Sequence, residues 1–300
     1  MADIDHSAVL APTHLLTSEP AEWLAVDIAL TIELRRALNE LDLVHVPIYY
    51  PLIARSEQFY DAQWRGEVAK HLVQVPIDAL WLRIHPFGTP KAGPRVLKHY
   101  LAARRELHFL NLPLVGGHTG TIGVALMAFG AVGGIESGIT VVEHTDLARW
   151  IKPPELGQSG GSEARVYLQE LGCFLKRSKA DALFARPGMK AAHACRDTDC
   201  CRRGWRDTRT SYREHFVAQR AREVAALSRV PASLRPGHYM ENFLRPASDS
   251  AARAAAAEPS LESVRKRLDS WRGTLGADLK THNDFSFSPP AAGRRLGRTA

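Results

Sequence analysis

Three cysteines, Cys195, Cys200 and Cys201, fall within seven residues, and His215 follows on the next helical stretch. Thiolate and imidazole are the ligands that zinc takes four at a time in a tetrahedron. The set reads as a candidate zinc site, with His193 and His238 as reserve ligands. Arg196, Arg202 and Arg203 stand beside the thiols and would favour thiolates. The alternative is a group of reduced thiols in a loop, since two adjacent cysteines are an unusual pair on one metal. Cys173, inside an apolar run, reads as core.

A second group sits earlier in the chain. Glu136 is the one acid between Glu106 and Glu143, and it lies in the glycine-rich run GGIESG. An idle carboxylate in apolar surroundings is costly. In the run WLRIHP, the two-residue period puts Trp81, Arg83 and His85 on one face of a strand. Leu80, Leu82 and Ile84 take the other face and must meet helices. Arg83 and His85 then join Glu136 as catalytic candidates. The alternative for Arg83 is a structural ion pair with Glu136. The alternative for His85 is a cap on a strand that Pro86 ends. The loop GGHTGT offers Gly116, Gly117 and His118 as a ligand cradle, because glycine lets backbone approach a ligand and free N–H groups favour an anion. A tight strand-to-helix turn is the alternative. Thr13, His14, Tyr49 and Tyr50 complete the list of strand-end candidates, with Tyr49 a possible base platform or a packing residue.

These side chains need elements to hold them. The first 140 residues alternate between apolar or β-branched runs and helical patterns. The strands read as 8–16, 43–52, 77–86, 112–116 and 132–139, and the helices as 21–41, 56–73, 94–110 and 121–130. Near-continuous apolar strands at this spacing predict a parallel α/β sheet covered by helices. Short crossovers with no switch of strand order favour a TIM-type (β/α) barrel over an open sheet. Only about five strands are legible, so the barrel is incomplete. Either the chain is a partial barrel, or the reading frame starts upstream of Met1, or a second copy completes it. Residues 1–152 form this unit and 153–188 a linker followed by a helix at 166–178. Residues 189–275 form a basic helical module, and 276–300 a disordered tail. Within the module, helices are predicted over 211–229, over 237–257 with a break near Pro246, and over 261–275 with Leu261, Val264, Leu268 and Trp271 in one stripe.

Composition narrows the partners. The chain has 300 residues, 45% hydrophobic and 24% charged, with a net charge of +7. Residues 1–189 carry 18 Lys/Arg against 20 Asp/Glu, and residues 190–300 carry 21 against 12, so the excess sits in the last third. Such a patch suits phosphates, or else it is a solubilising surface. Arg213, Arg220, Arg222 and Arg229 could track a nucleic-acid backbone. No signal peptide and no membrane-length apolar run is visible, which predicts a cytoplasmic protein with no membrane partner.

The run LPLVGGHTGTIGVALMAFGAVGGIESG resembles the last two barrel strands of the tRNA-guanine transglycosylase superfamily. There too a glycine-rich strand end precedes a short helix, the next strand ends in a catalytic carboxylate, and a Cys/His zinc module follows. The resemblance covers about residues 110–245 and lies more in the order of parts than in identity. This chain departs from the family in three ways. The family nucleophile is an aspartate where Glu136 stands. The family's Cys-x-Cys-x-x-Cys becomes Cys195-x4-Cys200-Cys201. An acid on an early family strand has no counterpart. The resemblance implies base exchange on a purine nucleotide flipped out of tRNA or DNA. Glu136 would be the nucleophile, Gly116, Gly117 and His118 the lining of the base pocket, and Arg83 the group that orients base or phosphate. Other readings are a catalytically degenerate nucleic-acid-binding partner of a full-length paralogue, and an unrelated barrel enzyme that uses GGHTGT for a phosphorylated small molecule. The partner reading implies a homo- or hetero-oligomer that completes the barrel.

Overall fold

A computed structural model describes residues 8–139, 143–147 and 163–282. The first part is a mostly parallel sheet. Its strands are β1 (Val9–Leu10), β2 (Leu15–Leu16), β3 (Ile48–Arg55), β4 (Ala79–His85), β6 (Leu114–Gly116) and β7 (Gly134–Ile135). The order is β1-β3-β4-β6-β7, with β2 also on β3, and every pairing is parallel. Order in space thus follows order in sequence. Between the strands run α1 (Ala21–Glu40), α2 (Ser56–Tyr60), α3 (Ala62–Leu72), α4 (Pro94–Leu107) and α5 (Ile122–Ala128). The predicted helix over 56–73 is split at Asp61, whose carboxylate accepts from the Gln63 and Trp64 amides and so starts a new helix.

The alternation in β4 is as expected. Leu80, Leu82 and Ile84 are buried, while Trp81, Arg83 and His85 are half-buried on the other face. On β3, Tyr50 reaches Asp27 of α1, so the even-numbered residues face the helices and Tyr49 faces the other way. α1, α3 and α4 pack side by side over that helix-facing layer.

The remainder differs from expectation in two places. Residues 166–176, predicted as most of a helix over 166–178, instead lie in the antiparallel hairpin β9 (Arg165–Leu168) and β10 (Cys173–Lys176). Gly172 turns it at φ +53°, a conformation that glycine adopts without strain. The hairpin buries Val166, Leu168, Cys173 and Leu175, and β-branched and aromatic residues in short alternation favour that solution. A second short pair, β5 (Phe87–Gly88) with β8 (His144–Thr145), is also antiparallel. Linker residues 153–162 lie outside the described residues. The tail starts later than expected, because the last helix continues through His282; residues 283–300 lie outside the description.

After the hairpin come α6 (Arg177–Phe184), α7 (Met189–His193), α8 (Trp205–Thr210), α9 (Tyr212–Ser228), α10 (Arg235–Tyr239), α11 (Arg245–Ala257) and α12 (Glu262–His282). A π-helical turn, Met240–Leu244, joins α10 to α11 just ahead of Pro246, which is where the sequence places the break. The predicted α12 stripe is buried, and Trp271 donates to the Ala92 carbonyl at 2.7 Å. One apolar core runs from β3 and β4 through α4 to α11 and α12. The C-terminal helices therefore share the sheet's core. Each large apolar side chain in the stripe contributes about 1.5–3 kcal/mol by burial.

Candidate active site and metal centre

Glu136 follows β7 at the carboxyl end of the sheet, where parallel strands place their ligands. Three groups converge on it. Trp81 Nε1–H donates to Oε2 at 2.9 Å, and Arg83 Nη2 lies 3.3 Å from both oxygens. His118 Nε2 is 3.5 Å from Oε1. Tyr49 meets the Trp81 ring edge-on at 6.3 Å. The ion pair posed as the alternative for Arg83 is thus present. It stays near solvent, with Arg83 19% and Glu136 26% exposed, so it is oriented without being sealed.

The glycine loop acts as a brace. A Cβ on Gly117 would stand 2.8 Å from Arg83 Cγ and 2.9 Å from Trp81 Nε1, so only glycine lets these two side chains lie down toward Glu136. Three of the loop's N–H groups are already engaged. Gly117 N–H goes to the Leu82 carbonyl, Thr119 N–H to the Glu136 carbonyl, and Thr121 N–H to Thr89 Oγ1. The tight-turn alternative describes this loop, and the phosphate reading of it loses these three donors.

His118 holds a left-handed backbone conformation, φ +50°. Its Nδ1 is buried without a partner. Burial lowers the imidazole from its ordinary value near 6.5, against the pull of Glu136 and with the help of Arg83. His108 is also lowered, by burial and by Arg104. A histidine lowered in the folded state resists a proton that the unfolded chain accepts. Its stability contribution is intact above the unfolded value and falls as pH drops below it. The urea midpoint should therefore decrease between about pH 7.5 and about pH 5.5, and His118→Gln should flatten that slope. An identical slope in the variant would exclude His118 as a contributor.

His85 is placed elsewhere. Its Nδ1 accepts from the Leu147 amide at 3.1 Å and so ties β4 to the segment after β8. At the opposite edge of the sheet is a cluster whose centre the sequence reading did not include. Asp27, fully buried on α1, accepts from Tyr50 OH (2.7 Å), Thr13 Oγ1 (3.1 Å) and the His14 amide (3.1 Å), and its other oxygen meets His14 Nδ1 at 2.6 Å. The signal that could have found it is an aspartate on the apolar face of a helix, three residues after Leu24.

The cysteine cluster does assemble. Ligand atoms of Cys195, Cys200, Cys201 and His215 all lie within 4.8 Å of one another, and the four could hold a metal ion. The two adjacent sulfurs are 3.7 Å apart, and His215 Nδ1 is 3.3 Å from each. A tetrahedral zinc with bonds of about 2.3 Å to sulfur and about 2.0 Å to nitrogen needs edges of about 3.8 and 3.5 Å. The residues fit. The adjacent cysteines can share a metal because the Cys201 amide turns back onto the Asp197 carbonyl at 2.7 Å while Cys200 N–H meets the Asp197 carboxylate. His215 Nε2 lies 3.0 Å from the Tyr167 carbonyl, which fixes the N–H there and leaves the Nδ1 lone pair toward the sulfurs. Thr208 and Gln219 donate to Cys201 and Cys195 sulfur. The reserve residues stay out of the set: His193 is buried without ring partners, and His238 pairs with Asn242.

The expected effect of the arginines on the thiols is not present. Burial pushes Cys201 up to about 12 and raises Cys195, whose neighbour Cys200 adds to the shift. Arg196 turns to the Ala191 carbonyl and Arg203 to Asp207. Arg222 pulls Cys195 down without offsetting burial, so thiolates here call for a metal cation. Arg213 and Arg222 on α9 and Arg229 just after it are exposed but Arg220 is buried, so the row is not one continuous basic face.

No family model, curated protein or solved structure matches this chain. Among the described residues no helix is long and apolar enough to cross a membrane.

Proposed function

We propose that the sheet is a segment of a TIM-type barrel whose open face recognises and exchanges a purine base in tRNA or DNA, as the resemblance to tRNA-guanine transglycosylases implies. Cys195, Cys200, Cys201 and His215 would hold a structural zinc ion. Strand order without reversal, with the helices in one layer, supports the barrel reading, because right-handed crossovers then all fall on one side. The carboxylate of Glu136, held at a strand end by Trp81 and Arg83, is the observation that carries the function.

In this reading a Glu136 oxygen attacks the anomeric carbon. The bond from that carbon to the base nitrogen breaks, and the base leaves with the electron pair and takes a proton from solvent. An incoming base then attacks the same carbon, the bond to Glu136 breaks, and the incoming base releases its proton to solvent. Arg83 orients the carboxylate rather than touching the base first. His118, whose Nε2 stands 3.5 Å from Glu136 Oε1, would line the base pocket beside Tyr49 and Trp81. Exposed Arg213 and Arg229 would meet phosphates.

The test is incorporation of labelled guanine into tRNA and into duplex DNA by the whole chain. Glu136→Gln should lower incorporation by at least about 100-fold, because the amide is no nucleophile. Full activity in that variant would end the proposal. Binding without exchange by the unmodified chain would favour the second reading, a recognition partner without chemistry. One observation favours that second reading: Leu10 at the sheet edge and Trp23, Val26 and Leu30 on α1 are all more than 39% exposed, as a strand edge awaiting a partner would be.

A further inference from the structure

A cavity of about 460 Å³ opens between the β9–β10 hairpin, α9, the π-helical turn and α12. It shares no residue with the Glu136 group or the four-ligand cluster. Tyr167, Arg220, Glu223, Tyr239, Phe243 and Trp271 are among its walls. Arg220 is 8% exposed. Its Nη1 pairs with Glu223 Oε2 at 2.9 Å, while Tyr167 OH donates to Glu223 Oε1 at 2.6 Å. Its guanidinium carbon lies over the Tyr167 and Phe216 rings at 5.2 and 5.4 Å.

Two donors of that guanidinium remain. Nε and Nη2 are buried and have no partner. They form one edge of the group, the edge that takes a carboxylate or phosphate through two parallel bonds. Buried donors left idle are costly, so the edge is out of balance without an acceptor. Among the described residues, Glu223 faces Arg220 Nη1 and Tyr167 OH and buried Glu143 pairs with Arg165 at 2.6 Å, but neither carboxylate accepts from the Nε–Nη2 edge. Arg267 adds a third guanidinium acting on Glu143. Three cations face two carboxylates.

The rest of the wall is flat and apolar. Tyr239 and Phe243 lie nearly parallel, 14° apart with centroids 5.7 Å apart. At the mouth, Asn242 Nδ2 donates to His238 Nδ1 at 3.1 Å, which turns His238 Nε2–H outward as a donor. A volume of this size suits a ligand of one ring and one anionic group.

We propose that this cavity is a second binding site, for a small molecule of the nucleoside monophosphate class. Its phosphate sits on the free edge of Arg220 and its base lies against Tyr239 and Phe243. The site stands independently of any reaction at Glu136.

Calorimetric titration of the whole chain with GMP, guanosine and inorganic phosphate tests this. GMP should bind saturably at one per chain, and guanosine and phosphate each at least about tenfold more weakly. Arg220→Lys keeps the charge but loses the fork and should weaken GMP about tenfold. Ala226→Trp, on the exposed rim, should block entry with Arg220 intact, and it decides the matter if the first variant does not fold. Absence of saturable GMP binding, or GMP binding unchanged in Ala226→Trp or in folded Arg220→Lys, overturns the proposal. Guanosine binding as tightly as GMP removes the role of Arg220, and phosphate binding as tightly as GMP removes that of the rings; either result also overturns it.

Discussion

Stripping divalent metal from the purified chain with a strong chelator should melt the region from β9 through α9. Zinc held by buried thiolates and imidazole contributes apparent binding energies of about 10 kcal/mol or more in small domains. Here four ligands from two segments meet in one place. Even about 3 kcal/mol of lost linkage would lower the thermal midpoint of a domain this size by roughly 6–12 °C. Because burial holds Cys201 at about 12 without a cation, loading must expel protons, so metal affinity should fall steeply as pH drops. Cys201→Ser should melt like the chelated protein, and chelator should have little further effect on it. Metal analysis of the native chain gives the decisive reading. A chain that carries no stoichiometric divalent ion, and melts identically with and without chelator, has no metal centre.

Replacement of Asp27 by alanine should cost about 3–5 kcal/mol. The carboxylate is wholly buried and is shared by Thr13, His14 and Tyr50. Its removal leaves the buried Tyr50 phenol without its acceptor and takes the shared partner from the His14 amide and ring, while the Thr13 hydroxyl keeps the Pro51 carbonyl at 2.8 Å. Tyr50→Phe alone should cost about 1 kcal/mol, since the carboxylate keeps its other donors. The double variant should lose less than the sum, because the orphaned phenol is gone. Urea midpoints of the three variants measure this. A loss below about 1 kcal/mol in Asp27→Ala would mean that the cluster is not a structural anchor. The same pairing holds His14 by Nδ1 and stacks its ring on Trp23 at 4.4 Å, so the variant should also free that ring at the sheet edge.

The two groups of candidate residues differ in how much of them the sequence could fix. Local pattern was enough for the β4 faces, because the two-residue period decides which side chains meet the helices and which meet the open side. It was enough for the four residues that could hold a metal ion, because no other residues offer that softness so densely. It was enough for the buried stripe on α12 and for the break near Pro246. Local pattern failed at residues 166–178, where a short apolar run is compatible with either helix or strand, and only pairing across Gly172 selects the hairpin. It also failed at the arginines. Arg220 has the same sequence character as Arg213 and Arg229, yet one faces a buried carboxylate and the others face water.

Residue types and spacing by themselves determined a parallel α/β unit, an isolated carboxylate at a strand end and a Cys/His set. Each of those follows from a period or a composition carried by neighbours in the chain. What each group touches was decided only in three dimensions. Glu136 meets Trp81 and Arg83 from a strand some fifty residues earlier. Asp27 gathers donors from β3 and the loop before β2, and His215 reaches back to a carbonyl on the hairpin. The physical reason is common to all three: a buried polar group must find its partner, and the partner is whichever donor the packing brings near, however far away it lies in the chain.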